Sequence, residues 1–114
     1  MSAVYVNNLT INSGADFSET FTLESSDSGS FLDLTNYQVS SQMRKWHGSS
    51  NFFSFITRIE FPATSGRLTI FLPGEETQNI KPGRYVYDVL LTDIYGVKSR
   101  VIEGSVLVRE GVTK

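Results

Sequence analysis

The chain has no cysteine and a single histidine. The first absence excludes a disulfide framework, a thiol nucleophile and a thiolate metal site. The second leaves His47 as the one residue around which a Ser-His-Asp triad could be built, and its place between Trp46 and Gly48 reads as a surface loop. No Gly-rich phosphate loop occurs, and Asp27, Asp33, Asp88 and Asp93 do not fall at calcium-loop spacing, so neither a metal nor any other cofactor is expected. No apolar run approaches the roughly 18 residues of a membrane helix. The opening Met-Ser-Ala-Val-Tyr-Val also lacks the basic start and apolar stretch of a secretory signal, which predicts a soluble, unprocessed chain. Charge of one sign is not in excess either: ten Lys plus Arg against twelve Asp plus Glu give a formal −2. With the basic residues scattered, nucleic acid is not an expected partner, and neither is a membrane.

What the chain does have is apolar and aromatic material, 39% hydrophobic with eight Phe and five Tyr in 114 residues. That is enough for one core, and residues 1–114 are read as a single domain with a short tail at 110–114. Apolar residues recur at every second position through seven runs, a pattern of half-buried strands. The first covers residues 3–11 and is interrupted at Asn7-Asn8. The second, residues 15–24, puts Phe17, Phe21 and Leu23 on one face with Glu19, an inward acid of the kind that guards a sheet edge. A polar loop and a short extended piece follow, in which Phe31, Leu32 and Leu34 are expected to plug one end of the core.

The third run turns Tyr37, Val39, Ser41 and Met43 inward and ends at Trp46-His47-Gly48; its parity puts Trp46 outside the core. The fourth runs from Phe52 to Phe61 and stops at Pro62; the fifth carries Leu68, Ile70 and Leu72. Residues 74–80 suit one helical turn, with Glu75 and Glu76 as helix-start acids whose side chains point apart, not a paired general acid and base. The sixth run, residues 84–94, is apolar on both faces and should be central. Asp88 on its outer face could pair with Arg84, Lys98 or Arg100. The seventh, Val97 to Arg109, changes phase around Glu103-Gly104, where glycine permits a bulge. Seven short strands argue an all-β, antiparallel two-layer sandwich.

Nothing in these runs supports catalysis, and no enzyme is expected. Contact surfaces are the alternative: Val86 and Leu90 with Ile94 on the outer face of the sixth strand, the Trp46-His47 tip with Phe52, and Phe71. Trp46 with Arg44 is the first anchor, since Trp and Arg are the residues that most often anchor interfaces. A sheet edge offers a second mode, in which a neighbouring strand supplies main-chain bonds.

Lys81-Pro82-Gly83-Arg84-Tyr85-Val86-Tyr87-Asp88 resembles an immunoglobulin-like strand F, with Pro82, Gly83 and Tyr85 as the structural corner and Tyr87 where antibody domains place a cysteine. A wider string adds Gly14-Ala15-Asp16-Phe17, Leu72-Pro73, Thr77, Glu103-Gly104-Ser105-Val106 and Gly111-Val112-Thr113. Together these residues are similar to the small immunoglobulin-like virion proteins of tailed bacteriophages, in particular to the N-terminal domain of phage baseplate upper proteins. That resemblance implies an immunoglobulin-like sandwich and a structural role in a tail or baseplate. It also implies assembly in the host cytoplasm, residence in the virion, and contacts with other virion proteins and with copies of itself. Two other readings stay open. One is a carbohydrate- or receptor-binding module with Trp46, Phe52 and Tyr95 as an aromatic platform; the other is a capsid decoration protein.

Overall fold

Side chains alternate across a strand, so a period-two apolar pattern gives each strand one face to bury and drives two sheets together. In a computed structural model that describes residues 5–25 and 29–113, this is what the chain does. The strands are β1 (Tyr5–Val6), β2 (Leu9–Asn12), β3 (Phe17–Thr22), β4 (Gln38–Arg44), β5 (Phe52–Ser54), β6 (Ile56–Ile59), β7 (Arg67–Leu72), β8 (Gly83–Thr92) and β9 (Lys98–Arg109), with the helical turn α1 (Gly74–Thr77) between β7 and β8. One sheet has the order β1-β9-β8-β4-β5, with β2 also on β9; the other has the order β3-β7-β6. Ala3, Val4, Asp27 and Lys114, which the sequence reading used, lie outside the described residues.

The all-β sandwich is as expected, but among the described residues seven runs become nine strands because two of them break. Asn7-Asn8 divides the first into β1 and β2. The fourth divides at Phe55: Phe52–Ser54 pairs with β4, whereas Ile56–Ile59 pairs with β7 in the opposite sheet. Phe55 itself stays inside, 5.8 Å from Phe17 and 6.3 Å from Tyr87 between ring centroids, so the crossing costs the core nothing. The pairing is also not wholly antiparallel, since β1 and β2 run parallel to β9. The reason is connectivity: β2 must finish where β3 begins, at the Asn12–Ala15 turn, and β9 runs toward that same end.

The bulge in β9 falls earlier than the sequence suggested. Leu90 pairs with Arg100 and Val89 with Ile102, which leaves Val101 as the extra residue, and Val101 and Ile102 are both buried. Gly104 has a different role: a Cβ there would meet Asn7 O at 2.1 Å, so glycine lets the break between β1 and β2 lie against β9. Leu34 is fully buried and Leu32 partly so, but Phe31 is exposed, so only part of the expected plug forms. Phe61, which shares the parity of Phe53, Phe55 and Ile59 in the fourth run, is 92% exposed because the chain has already left the sheet at Ile59. Ile11, Leu34, Met43, Leu68, Ile70, Val89, Leu91, Val101 and Val106 form the centre of the core. Thr77 of α1 closes one end, accepting from Gly14 N at 3.0 Å and donating to Ala15 O at 2.9 Å.

Candidate functional site

Strand β8 has hydrogen-bonded neighbours on both sides, and its inner residues Tyr85, Tyr87, Val89 and Leu91 are buried. Its outer residues therefore sit in the middle of a broad surface. The register places Arg44 beside Val86 and Gln42 beside Asp88 on one flank. On the other flank Glu103 lies beside Asp88 and Arg100 beside Leu90. These side chains, with Val6 and His47, line a trough of about 470 Å³.

Of the eight residues expected on contact surfaces, four, Arg44, His47, Val86 and Leu90, line this one trough. Phe52 stands beside it, its ring 4.7 Å from the Arg44 guanidinium carbon. Trp46 is 62% exposed and lies outside the trough, over Gly48, where an added Cβ would come within 2.1 Å of the indole. Ile94 is exposed in the β8–β9 turn at the far end, and Phe71 belongs to the other sheet, where it is half-buried opposite Ile56. The aromatic platform does not assemble. Trp46 follows the end of β4 paired with Val86, whereas Tyr95 follows the end of β8 paired with Gln38. The seven-residue length of β4, about 20 Å at the usual rise per residue, separates them.

The floor of the trough is the row Val86, Asp88 and Leu90, two apolar residues with a carboxylate between them, and the charged groups along it are already oriented. Arg44 donates to Ser49 O at 2.6 Å and to Gln42 Oε1 at 2.9 Å. Arg100 meets Asp88 at 3.2 Å and Glu103 at 3.8 Å, so of the three partners open to Asp88 the register selects Arg100. Such exposed pairs contribute only about 0.2–1 kcal/mol each to stability, but they fix the direction in which the guanidinium groups face. This arrangement can bind. It has no nucleophile beside a base, and among the described residues no group of three or more His, Cys, Asp or Glu could hold a metal ion.

The trough rests on two tyrosines of β8. Tyr85 Oη donates to Lys81 O at 2.6 Å, tying the strand to the corner in which Pro82 precedes Gly83, a residue at φ +143°. Lys45 Nζ lies 4.9 Å from the centre of the Tyr85 ring, and burial pushes the Tyr85 hydroxyl pKa up. Tyr87 Oη donates over Gly104 of β9, within the same sheet, to Asn7 O at 2.6 Å. Asn7 N donates to Glu103 O at 3.0 Å, and Asn8 Oδ1 accepts from Ser105 N at 3.0 Å, so the β1–β2 break is held at three points. Burial first, and then the nearby Glu19 charge, raise the Tyr87 pKa well above the ordinary tyrosine range. The Asn7–Tyr87 clamp was missed in the sequence reading, as were Gln42, Arg100 and Glu103 in the trough. The only signal for them was outer parity on strands whose adjacency was unknown.

No protein-family model matches the chain, and no curated protein matches it. Among solved structures it is similar to an internalin-like protein of Listeria monocytogenes, lmo2027, at 16% identity and TM-score 0.44, covering 95% of this chain and 28% of that one. It is also similar to a family 123 glycoside hydrolase from Clostridium perfringens at 16% identity and TM-score 0.43, covering 96% of this chain and 24% of that one. The chain thus spans about a quarter of each of these proteins, and neither likeness bears on what it does.

Proposed function

We propose that the chain is a non-enzymatic structural component of a tailed-phage virion, in the tail or baseplate, which docks on neighbouring subunits through the outer face of its six-stranded sheet. The observation that carries the docking part is the convergence of Arg44, His47, Val86 and Leu90, from separate strands and a loop, on one trough. Two apolar residues, oriented guanidinium groups and a flanking aromatic ring are the kinds of residue that anchor interfaces. The placement in a virion rests on the string of residues that resembles the phage proteins, from Gly14 to Thr113. Neighbours are other virion proteins and copies of this chain.

The test is native mass by light scattering across a concentration series, with Leu90→Glu as the variant that puts a charge on the trough floor. The expected result is a mass that climbs to a defined ring or trimer for the parent and stays monomeric for Leu90→Glu, with unchanged circular dichroism. A parent that is strictly monomeric, or a variant that assembles equally well, would remove the trough as a self-contact. Binding of a glycan array by a monomeric parent would turn the reading to the carbohydrate module.

A further inference from the structure

The trough lies on the larger sheet; the smaller sheet has a feature that it does not use. In the order β3-β7-β6, β3 pairs on one side only among the described residues. The Leu23 N to Gly66 O bond turns the odd-numbered residues of β3 toward β7, so the backbone groups of Ser18, Thr20 and Thr22 face away from the sheet. None of them forms a backbone hydrogen bond among the described residues. Such an edge is a template for another strand.

The other edges are blunted. Strand β5 has three residues and β6 four, and the crossing between them is held to β4 by Phe55 N to Ser41 O and by Thr57 Oγ1 to Val39 O, both at 2.9 Å. Strands β1 and β2 have two and four residues and are parted by the clamped break. Strand β3 has six, with neither proline nor bulge.

Charge decides what fits. No Lys or Arg precedes Arg44, whereas Asp16, Glu19, Glu24, Asp27 and Asp33 all do. The ion pairs among the described residues, Arg58–Glu60, Arg100–Asp88 and Arg100–Glu103, include none of Asp16, Glu19 and Glu24, although Asp16 Oδ1 accepts from Gly74 N at 2.7 Å. Glu19 is half-buried on the inner face of β3, close enough to Tyr87 for its charge to act on that hydroxyl. A second copy pairing antiparallel about Thr20 would set Asp16 opposite Glu24 and bring the two Glu19 side chains diagonally together, like charges that oppose pairing. A strand bearing Lys or Arg turns the same residues from a guard into a selector. We infer that the open edge of β3 accepts an extended, basic strand from a different chain, which becomes the fourth strand of the smaller sheet.

The probe is a short synthetic peptide of alternating Lys and Val, with an alternating Glu and Val peptide as control, titrated into the full chain labelled with ¹⁵N. The expected result is slowed exchange of the Ser18, Thr20 and Thr22 amides with the Lys peptide and none with the Glu peptide. Ser18→Pro removes an edge donor that no internal bond uses, and it should weaken binding about tenfold, the worth of roughly one to two main-chain hydrogen bonds. With the valines toward the core the lysines lie on the outer face beside Asp16 and Glu24, so Glu24→Gln, which keeps the shape, should weaken binding and flatten its salt dependence. Leu90→Glu should leave it unchanged, which separates this edge from the trough. The inference is overturned by no binding at millimolar peptide, by equal binding of the Glu peptide, by protection at other strands, or by undiminished binding to a folded Ser18→Pro chain.

Discussion

The two sheets share one core but differ in where their outer surfaces can engage another molecule. In the larger sheet β8 lies between β4 and β9, so side chains of three strands converge and a trough forms above Val86 and Leu90. In the smaller sheet, of only three strands, one end of the outer face carries Phe71 beside Ile56 and the rest is a polar relay. Thr20 Oγ1 lies 2.8 Å from Thr69 Oγ1, whose own proton goes to Glu60, which in turn meets Arg58 at 3.0 Å. With the polar part of its face closed over by its own hydrogen bonds, that sheet has its unspent capacity at the edge. Both sheets have a central strand with neighbours on both sides, β8 and β7, so the side chains on it separate the two: Val86, Asp88 and Leu90 flanked by Arg44 and Arg100 leave a trough, whereas Thr69 is buried under its own bonds.

The comparison assumes that both sheets belong to one cooperative unit. The strongest way to break it is Ile70→Ala, at the fully buried centre of the smaller sheet. The expected cost is about 2–5 kcal/mol, with both sheets lost in a single urea transition; two transitions would mean that the sheets melt separately. A smaller effect should follow from Tyr87→Phe, which leaves Asn7 O without its donor and should cost about 1–3 kcal/mol.

That variant also sharpens the comparison through pH, because the folded chain holds the Tyr87 proton above the ordinary tyrosine range. Below the unfolded value of about 10 the hydroxyl is neutral in both states and its contribution is complete. As pH rises past that value the unfolded chain loses the proton first, and stability falls. Tyr87→Phe should flatten this alkaline decline in denaturation midpoints, and an unchanged slope would show that the clamp does not govern it.

The smallest expected effect is that of Glu60→Gln on the polar relay. The Thr69 hydroxyl, and then Arg58, hold the Glu60 carboxyl below its usual range. Its contribution is therefore present above the ordinary glutamate pKa and lost as pH falls through the lowered one. The variant should flatten the acid limb of the stability profile; a limb that keeps its slope would place the acid sensitivity elsewhere.

Much of this architecture was legible from alternation alone. The inward faces of β3, β4, β7 and β8, and the outward placement of Trp46, follow from parity because successive side chains point to opposite sides of a strand. The crossing at Phe55 was not legible, because Phe52 to Phe61 keeps one parity while changing sheets. Nor was the clamp, since Asn7 and Tyr87 are 80 residues apart in sequence. The trough was half visible. Val86 and Leu90 stood out as apolar residues on an outer face, but Arg100 and Gln42 gained meaning only from the register that sets them beside Leu90 and Asp88.

By itself the sequence determined which faces of β3, β4, β7 and β8 are buried, because local periodicity acts over a few positions. It also determined that the first third of the chain is acidic and without a cation. Only the tertiary structure decided which strands are neighbours, and with that the parallel entry of β1 and β2, the assembly of the trough and the opening of the β3 edge. Adjacency depends on contacts between segments far apart in the chain, and the free energy of such pairing is a property of the packed whole, not of any run of residues.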